Sequence, residues 1–163
     1  MPYLLLITFA MCVAYGVLWF LFPIFFRTKI QSFSVRSFYS LIYIVVISLA
    51  AYAISAMISD PNLGNRIVHA FGGGFLAFFV CYRVAKDSKL PITRFQFFLF
   101  SFLLVMALGI ANEMLEFYFQ TFFQATFSTT VTDTWLDLLS NLIGALIAGV
   151  VTTPFIGRES KLG

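Results

Sequence analysis

The chain has 163 residues, of which 61% are hydrophobic and only 10% charged, and its mean hydropathy is +0.96. An ordinary soluble domain carries about 25% charged residues, so the composition excludes one and predicts an integral membrane protein. The formal charge of +3 and a pI near 9.0 invite a nucleic-acid reading, but the basic residues form no single patch and follow no helix face, so no nucleic-acid partner is expected.

Residues 3–26 are a continuous apolar run, and about 20 residues are enough to cross a hydrocarbon core of ~30 Å. The run lacks a basic n-region and a small-residue cleavage site, so a retained helix is expected rather than a signal peptide. A polar loop with Arg27, Lys29 and Arg36 leads to a second span, 38–58, closed by the turn formers Ser59, Asp60, Pro61, Asn62 and Gly64. The third span, 66–85, carries His69 and the run Gly72, Gly73, Gly74 near its start. A basic loop containing Arg83, Lys86, Lys89 and Arg94 around Pro91 precedes the fourth span, 95–122, which is long enough to tilt or to project beyond the membrane. A Thr/Ser-rich connection free of Lys and Arg leads to the fifth span, 135–156, with Arg158 and Lys161 beyond it. The expectation is an all-α, polytopic transmembrane bundle of about five helices, forming one membrane domain over residues 1–163. Cys12 and Cys81 each fall inside an apolar run and read as buried small hydrophobes rather than a disulfide pair. Cys81, twelve residues after His69, falls about a third of a turn off its face at ~100° per residue, which argues against a shared metal site.

Basic loops stay in the cytoplasm. Nine of the ten Lys and Arg fall in the first loop, the third loop and the C-terminal tail, and only Arg66 falls elsewhere. This predicts an N-terminus outside, a C-terminus inside and an odd number of spans. The same orientation brings His69, Glu113, Glu116, Asp133, Asp137 and Asn141 to one depth, in the outer half of the third, fourth and fifth helices.

Helical spacing also brings them to faces. Gly109, Glu113, Glu116 and Gln120 follow at four, three and four residues, as do Asp137, Asn141, Gly144 and Ala148, so each set is one stripe. His69 and Gly73 are four apart. The small residues Gly73, Gly109, Gly144 and Ala148 are expected at helix contacts, as in small-xxx-small patterns. Carboxylates at a helix centre cost roughly 2.5–3.5 kcal/mol each on insertion scales and mark functional sites in membranes. If all were ionised they would repel, so shared protons or a bound cation are expected. Glu113, Glu116 and Asp137 suit a divalent ion such as Mg, Mn or Ca, while His69 suits either a general base or a Zn ligand. In a catalytic reading these four residues do the chemistry, with Asn141, Asp133 and Gln120 binding substrate. Interhelical hydrogen-bonding glue, worth about 0.6 kcal/mol per bond, is the structural alternative. No H-E-x-x-H, C-x-x-C or G-x-S-x-G motif is present, and Ser128 and Ser140 lack a nucleophile-elbow context.

Three segments carry a family likeness: N-R-I-V-H-A-F-G-G-G (65–74), E-M-L-E (113–116) and D-T-W-L-D-L-L-S-N-L-I-G-A (133–145). They resemble the VanZ-like superfamily of small bacterial membrane proteins. The E-x-x-E pair is more similar to the YjdF-type branch than to VanZ itself, where Gln usually stands at the position of Glu116. Asn65 replaces an acid frequent in the superfamily, and VanZ's basic residue before the last helix is absent. VanZ's association with low-level teicoplanin resistance implies a bacterial cytoplasmic-membrane setting and action on, or sensing of, an envelope lipid or lipid-linked glycan. A proton- or cation-coupled carrier and a structural accessory subunit stand as alternatives. Membrane lipids are the expected partners.

Overall fold

The computed structural model describes residues 2–33, 35–124 and 130–157; the side chains of residues 2–6 and of Arg36, as well as Ser128, Arg158 and Lys161, lie outside the described residues. Every regular element among the described residues is helical. We number the five long helices α1 (Pro2–Phe25), α2 (Val35–Ala56), α3 (Pro61–Asp87), α4 (Arg94–Phe123) and α5 (Val131–Thr152), the last continued by a 3₁₀ turn at Thr153–Phe155. All five contain windows long and apolar enough to cross a membrane.

The helix boundaries follow from capping chemistry. Asp60 and Pro61, expected as turn formers before a third span at 66, instead start α3 five residues earlier. The Asp60 carboxylate accepts from the Asn62 N–H at 2.9 Å, and Pro61 occupies the first turn, where a missing N–H costs nothing. Thr93 and Gln96 form a capping box on α4, and the Thr130 hydroxyl accepts the Asp133 N–H, so α5 also starts before 135.

α3 is the centre of the bundle: 56% of its apolar window is buried, against 22–33% in the other four. Its Leu76, Phe78, Val80, Cys81 and Val84 pack with Tyr15, Trp19 and Phe22 of α1, Ile44 of α2, Val105 of α4 and Ala145 and Ala148 of α5. Cys81 is buried, Cys12 is half-buried, and both are free thiols. Outward faces carry large apolar side chains, with Phe117 70% and Trp135 67% exposed, as lipid-facing positions require.

Within α3 the α-helical hydrogen-bond pattern is interrupted. Residues His69–Leu76, including the three glycines, form a π-helical segment between the α-helical stretches Pro61–Val68 and Ala77–Asp87. This wide turn lies directly against α5. A side chain on Gly144 would meet the Ala70 carbonyl, and one on Gly74 would meet the Asn141 carbonyl. The two backbones touch because glycine stands on both sides, which is how helices gain dispersion contact where lipid supplies no hydrophobic drive.

Candidate functional site: an acid–imidazole cluster between three helices

One seam of α4 faces the bundle, made by Phe97, Ser101, Val105, Gly109 and Glu113, each four residues from the last. Glu113 ends that seam and is 7% exposed, whereas Glu116 and Gln120 are half-buried. The buried face of α5 is Asp137, Asn141, Gly144, Ala145, Ala148, Gly149 and Thr152. His69 opens the π segment of α3 on the side that meets both helices. One ligand atom each from His69, Glu113 and Asp137 therefore comes within 4.8 Å of the others, and all three residues are buried.

The cluster contains a cation from the chain itself. Arg66, one turn before His69 on the same face, pairs with both Asp133 and Asp137 and donates from Nη1 to the Asp133 carbonyl at 3.1 Å. Asn65 Nδ2 donates to Asp137 Oδ1 at 3.2 Å, and His69 Nε2 lies 3.4 Å from the same oxygen. One Asp137 oxygen thus collects the polar groups of a whole turn of α3. Composition and spacing suggested shared protons or a bound cation as relief for the carboxylates; for the two aspartates, a guanidinium supplies it. The signal was the three-residue spacing of Arg66 and His69, hidden by counting Arg66 as a loop residue.

Glu113 is not relieved in this way. Its Oε1 is buried without a hydrogen-bond partner among the described residues, and so is Asn141 Oδ1. Asn141 is wedged between helices: a Cβ on Gly73 would strike its amide, and one on Gly109 would come within 3.2 Å of Nδ2. Glu116 accepts from Asn112 Nδ2 at 2.8 Å. It lines, with Glu113, Phe117, Gln120, Val131 and Thr134, an open groove of about 310 Å³ between α4 and α5. The residues singled out in the sequence therefore divide into three settings. His69, Glu113 and Asp137 converge, Glu116 and Gln120 edge the groove outside them, and Asp133 and Asn141 tie helices together.

A second polar cluster escaped sequence reasoning because its carboxylate lies within a basic stretch. Asp87, at the other end of α3, has a fully buried side chain. Its Oδ2 accepts from the Tyr15 hydroxyl at 2.9 Å and from the Ser40 hydroxyl, and its Oδ1 accepts from Arg83 Nη2 at 3.0 Å. Arg83 Nε also donates to Ser40 Oγ at 2.8 Å, so α1, α2 and α3 are pinned at one point. Breaking a buried, hydrogen-bonded charge pair costs about 3–5 kcal/mol. Asp87→Ala is expected to lose that much in reversible unfolding in detergent, and a loss below about 1 kcal/mol would contradict the pinning role.

The comparisons agree with the architecture. No curated protein and no solved structure matches the chain. The family model described as predicted membrane protein (DUF2238) matches residues 1–158, nearly the whole length, and YjdF-type proteins fall in the same family. With its five apolar helices, the chain belongs to the DUF2238 family of predicted membrane proteins.

Proposed function

We propose that the cluster of His69, Glu113 and Asp137 holds a divalent cation and presents it, beside the groove at Glu116 and Gln120, to the headgroup of an envelope lipid or lipid-linked glycan. The observation that carries this reading is the meeting of an imidazole and two carboxylates within 4.8 Å, one of whose oxygens, Glu113 Oε1, is buried and unpartnered. An unpaired buried carboxylate oxygen costs free energy that a metal ion offsets directly. Mixed nitrogen and carboxylate donors suit Zn or Mn better than Mg. Ligands at about 2.1 Å from one ion stand roughly 3.5 Å apart, so the three side chains close in slightly on binding. In this assignment His69 takes the ligand position that spacing alone gave to Glu116. Glu116 and Gln120 then face the substrate, and Asn141 sets the helix spacing.

The distribution of Lys and Arg supports an orientation with the cluster toward the outside of a bacterial cytoplasmic membrane. The VanZ-like resemblance supports an envelope role in a single membrane domain. The Arg66 pairs favour one rival, an accessory subunit in which the same groups are only interhelical staples. Glu113 distinguishes the two readings, since no protein group of the described residues bonds its Oε1.

Metal analysis of protein purified in detergent without chelator is expected to find about one divalent ion per chain. Glu113→Gln should lose it at least about tenfold while the metal-free melting temperature stays where it was. A wild-type chain that stays empty after incubation with Zn and Mn, or a Glu113→Gln chain that binds normally, removes the metal reading.

A further inference from the structure

Gly73 stands four residues after His69, Gly109 four before Glu113 and Asn141 four after Asp137. Each of the three helices therefore carries one member of the acid–imidazole layer and, about one helical turn further into the bundle, one member of a second layer. That second layer is a single amide between two glycines, since a side chain on Gly73 would strike Asn141 and one on Gly109 would come within 3.2 Å of its Nδ2. Asn141 is 2% exposed. The buried residues that follow it on α5, Gly144, Ala145 and Ala148, have no polar side chain, so the amide is the floor of the polar region on this helix.

Side-chain direction brings the two layers together. α4 runs antiparallel to α5, with Glu113 beside Asp137 and Gly109 beside Asn141. Side chains lean toward the N-terminus of their own helix, so Glu113 leans toward the amide layer while Asn141 leans toward the cluster. Each ends in a buried oxygen, Glu113 Oε1 and Asn141 Oδ1, that has no hydrogen-bond partner among the described residues. The other buried side-chain oxygens in that condition are Ser and Thr hydroxyls, which donate as well as accept. An amide oxygen and an ionised carboxylate oxygen only accept, so a cation or a donor between them is what satisfies both.

We infer that Asn141 Oδ1 is a further ligand of the cation site and shifts its preference from Zn toward a six-coordinate, oxygen-seeking divalent ion of the Mn type. The inference rests on the metal reading of His69, Glu113 and Asp137 and names the residue that sets which ion they hold. Three side chains and one water complete the tetrahedral shell of Zn. A six-coordinate ion gains from an additional oxygen, and an amide carbonyl is of the kind that Mn accepts. Asn141 thus spaces the helices and supplies an oxygen with the same side chain.

The test is the ratio of Mn to Zn affinity, measured on the full chain stripped of metal in detergent and titrated with each ion alone. Free Mn is read by electron paramagnetic resonance and free Zn by a chromophoric indicator. Asn141→Ala removes the oxygen and should weaken Mn about tenfold and Zn severalfold less. Asn141→Thr should do the same while filling nearly the same space, because its shorter hydroxyl turns back to a carbonyl of its own helix. A loss of packing alone weakens both ions alike, so the ratio separates ligation from spacing. If one variant does not fold, the other decides. A ratio unchanged in the folded variants overturns the inference and leaves the metal reading standing, as does a wild-type chain that takes Zn and refuses Mn. A wild-type chain that takes up neither ion overturns both.

Discussion

Gly144→Leu is expected to prevent the bundle from assembling, and even Gly144→Ala should cost at least about 3 kcal/mol, the upper range for forcing atoms into a packed interior. The added Cβ would fall on the Ala70 carbonyl oxygen, 2.7 Å from the carbonyl carbon and 2.9 Å from the Phe75 nitrogen. All three neighbours are backbone atoms of the π segment, so no side-chain rotation relieves the clash. Either α5 moves away from α3, separating Asp137 from His69 and Arg66, or the π segment rewinds. Gly16→Ala is the matched control, because a Cβ there meets nothing within 4 Å, and alanine in a helix should gain up to about 1 kcal/mol. Reversible unfolding of both variants in mixed detergent measures the difference. Equal stabilities would mean that the α3–α5 contact is looser than the backbone distances indicate.

The second large effect belongs to Asp137. Its carboxylate is 3% exposed and receives Arg66, Asn65 and the neighbouring imidazole. Asp137→Ala leaves a guanidinium that is only 18% exposed with Asp133 as its remaining carboxylate partner; removing one partner of a buried pair costs about 3–5 kcal/mol, and the loss here should fall toward the lower end of that range. Removing the whole cluster with apolar replacements of similar size, Asp133→Leu and Asp137→Leu with Arg66→Met, should recover part of that loss, because desolvation of the three charges is no longer required. The same unfolding measurement checks both. If Asp137→Ala costs under about 1 kcal/mol, the Arg66–Asp137 pair is exchanged for water and α3 and α5 are joined by glycine packing and the Arg66–Asp133 pair. Glu113→Gln should leave the melting temperature nearly unchanged, so the two carboxylates are distinguishable by stability before any function is assayed.

The spans and the buried stripes were legible because hydrophobic length and the 3.6-residue period are local properties. Gly109 and Glu113 on α4, and Asp137 and Asn141 on α5, fall on the buried faces that their spacing implied. Three features were not legible for physical reasons. The start of α3 was missed because Pro61 ends a helix when it is internal and begins one when it is capped by Asp60. The pairing of Arg66 was missed because a charge count treats every arginine near a span end as solvated, whereas here two aspartates of another helix surround it. Glu116 shares a sequence stripe with Glu113 but not its burial, since the packed seam of α4 is one residue wide and stops at Glu113.

The wide turn in α3 also governs which neighbours its two ends address. His69 and Asp87 are eighteen residues apart, which in an uninterrupted α-helix of about 100° per residue is five full turns, so both would point the same way. Their partners differ: His69 meets Glu113 and Asp137 on α4 and α5, while Asp87 meets Tyr15 and Ser40 on α1 and α2. Eight residues wound more slowly, with hydrogen bonds reaching one position further back, swing the lower half of the rod round relative to the upper. The glycine run is thus a phase shifter, letting the polar groups at the two ends of one helix address two different pairs of partners.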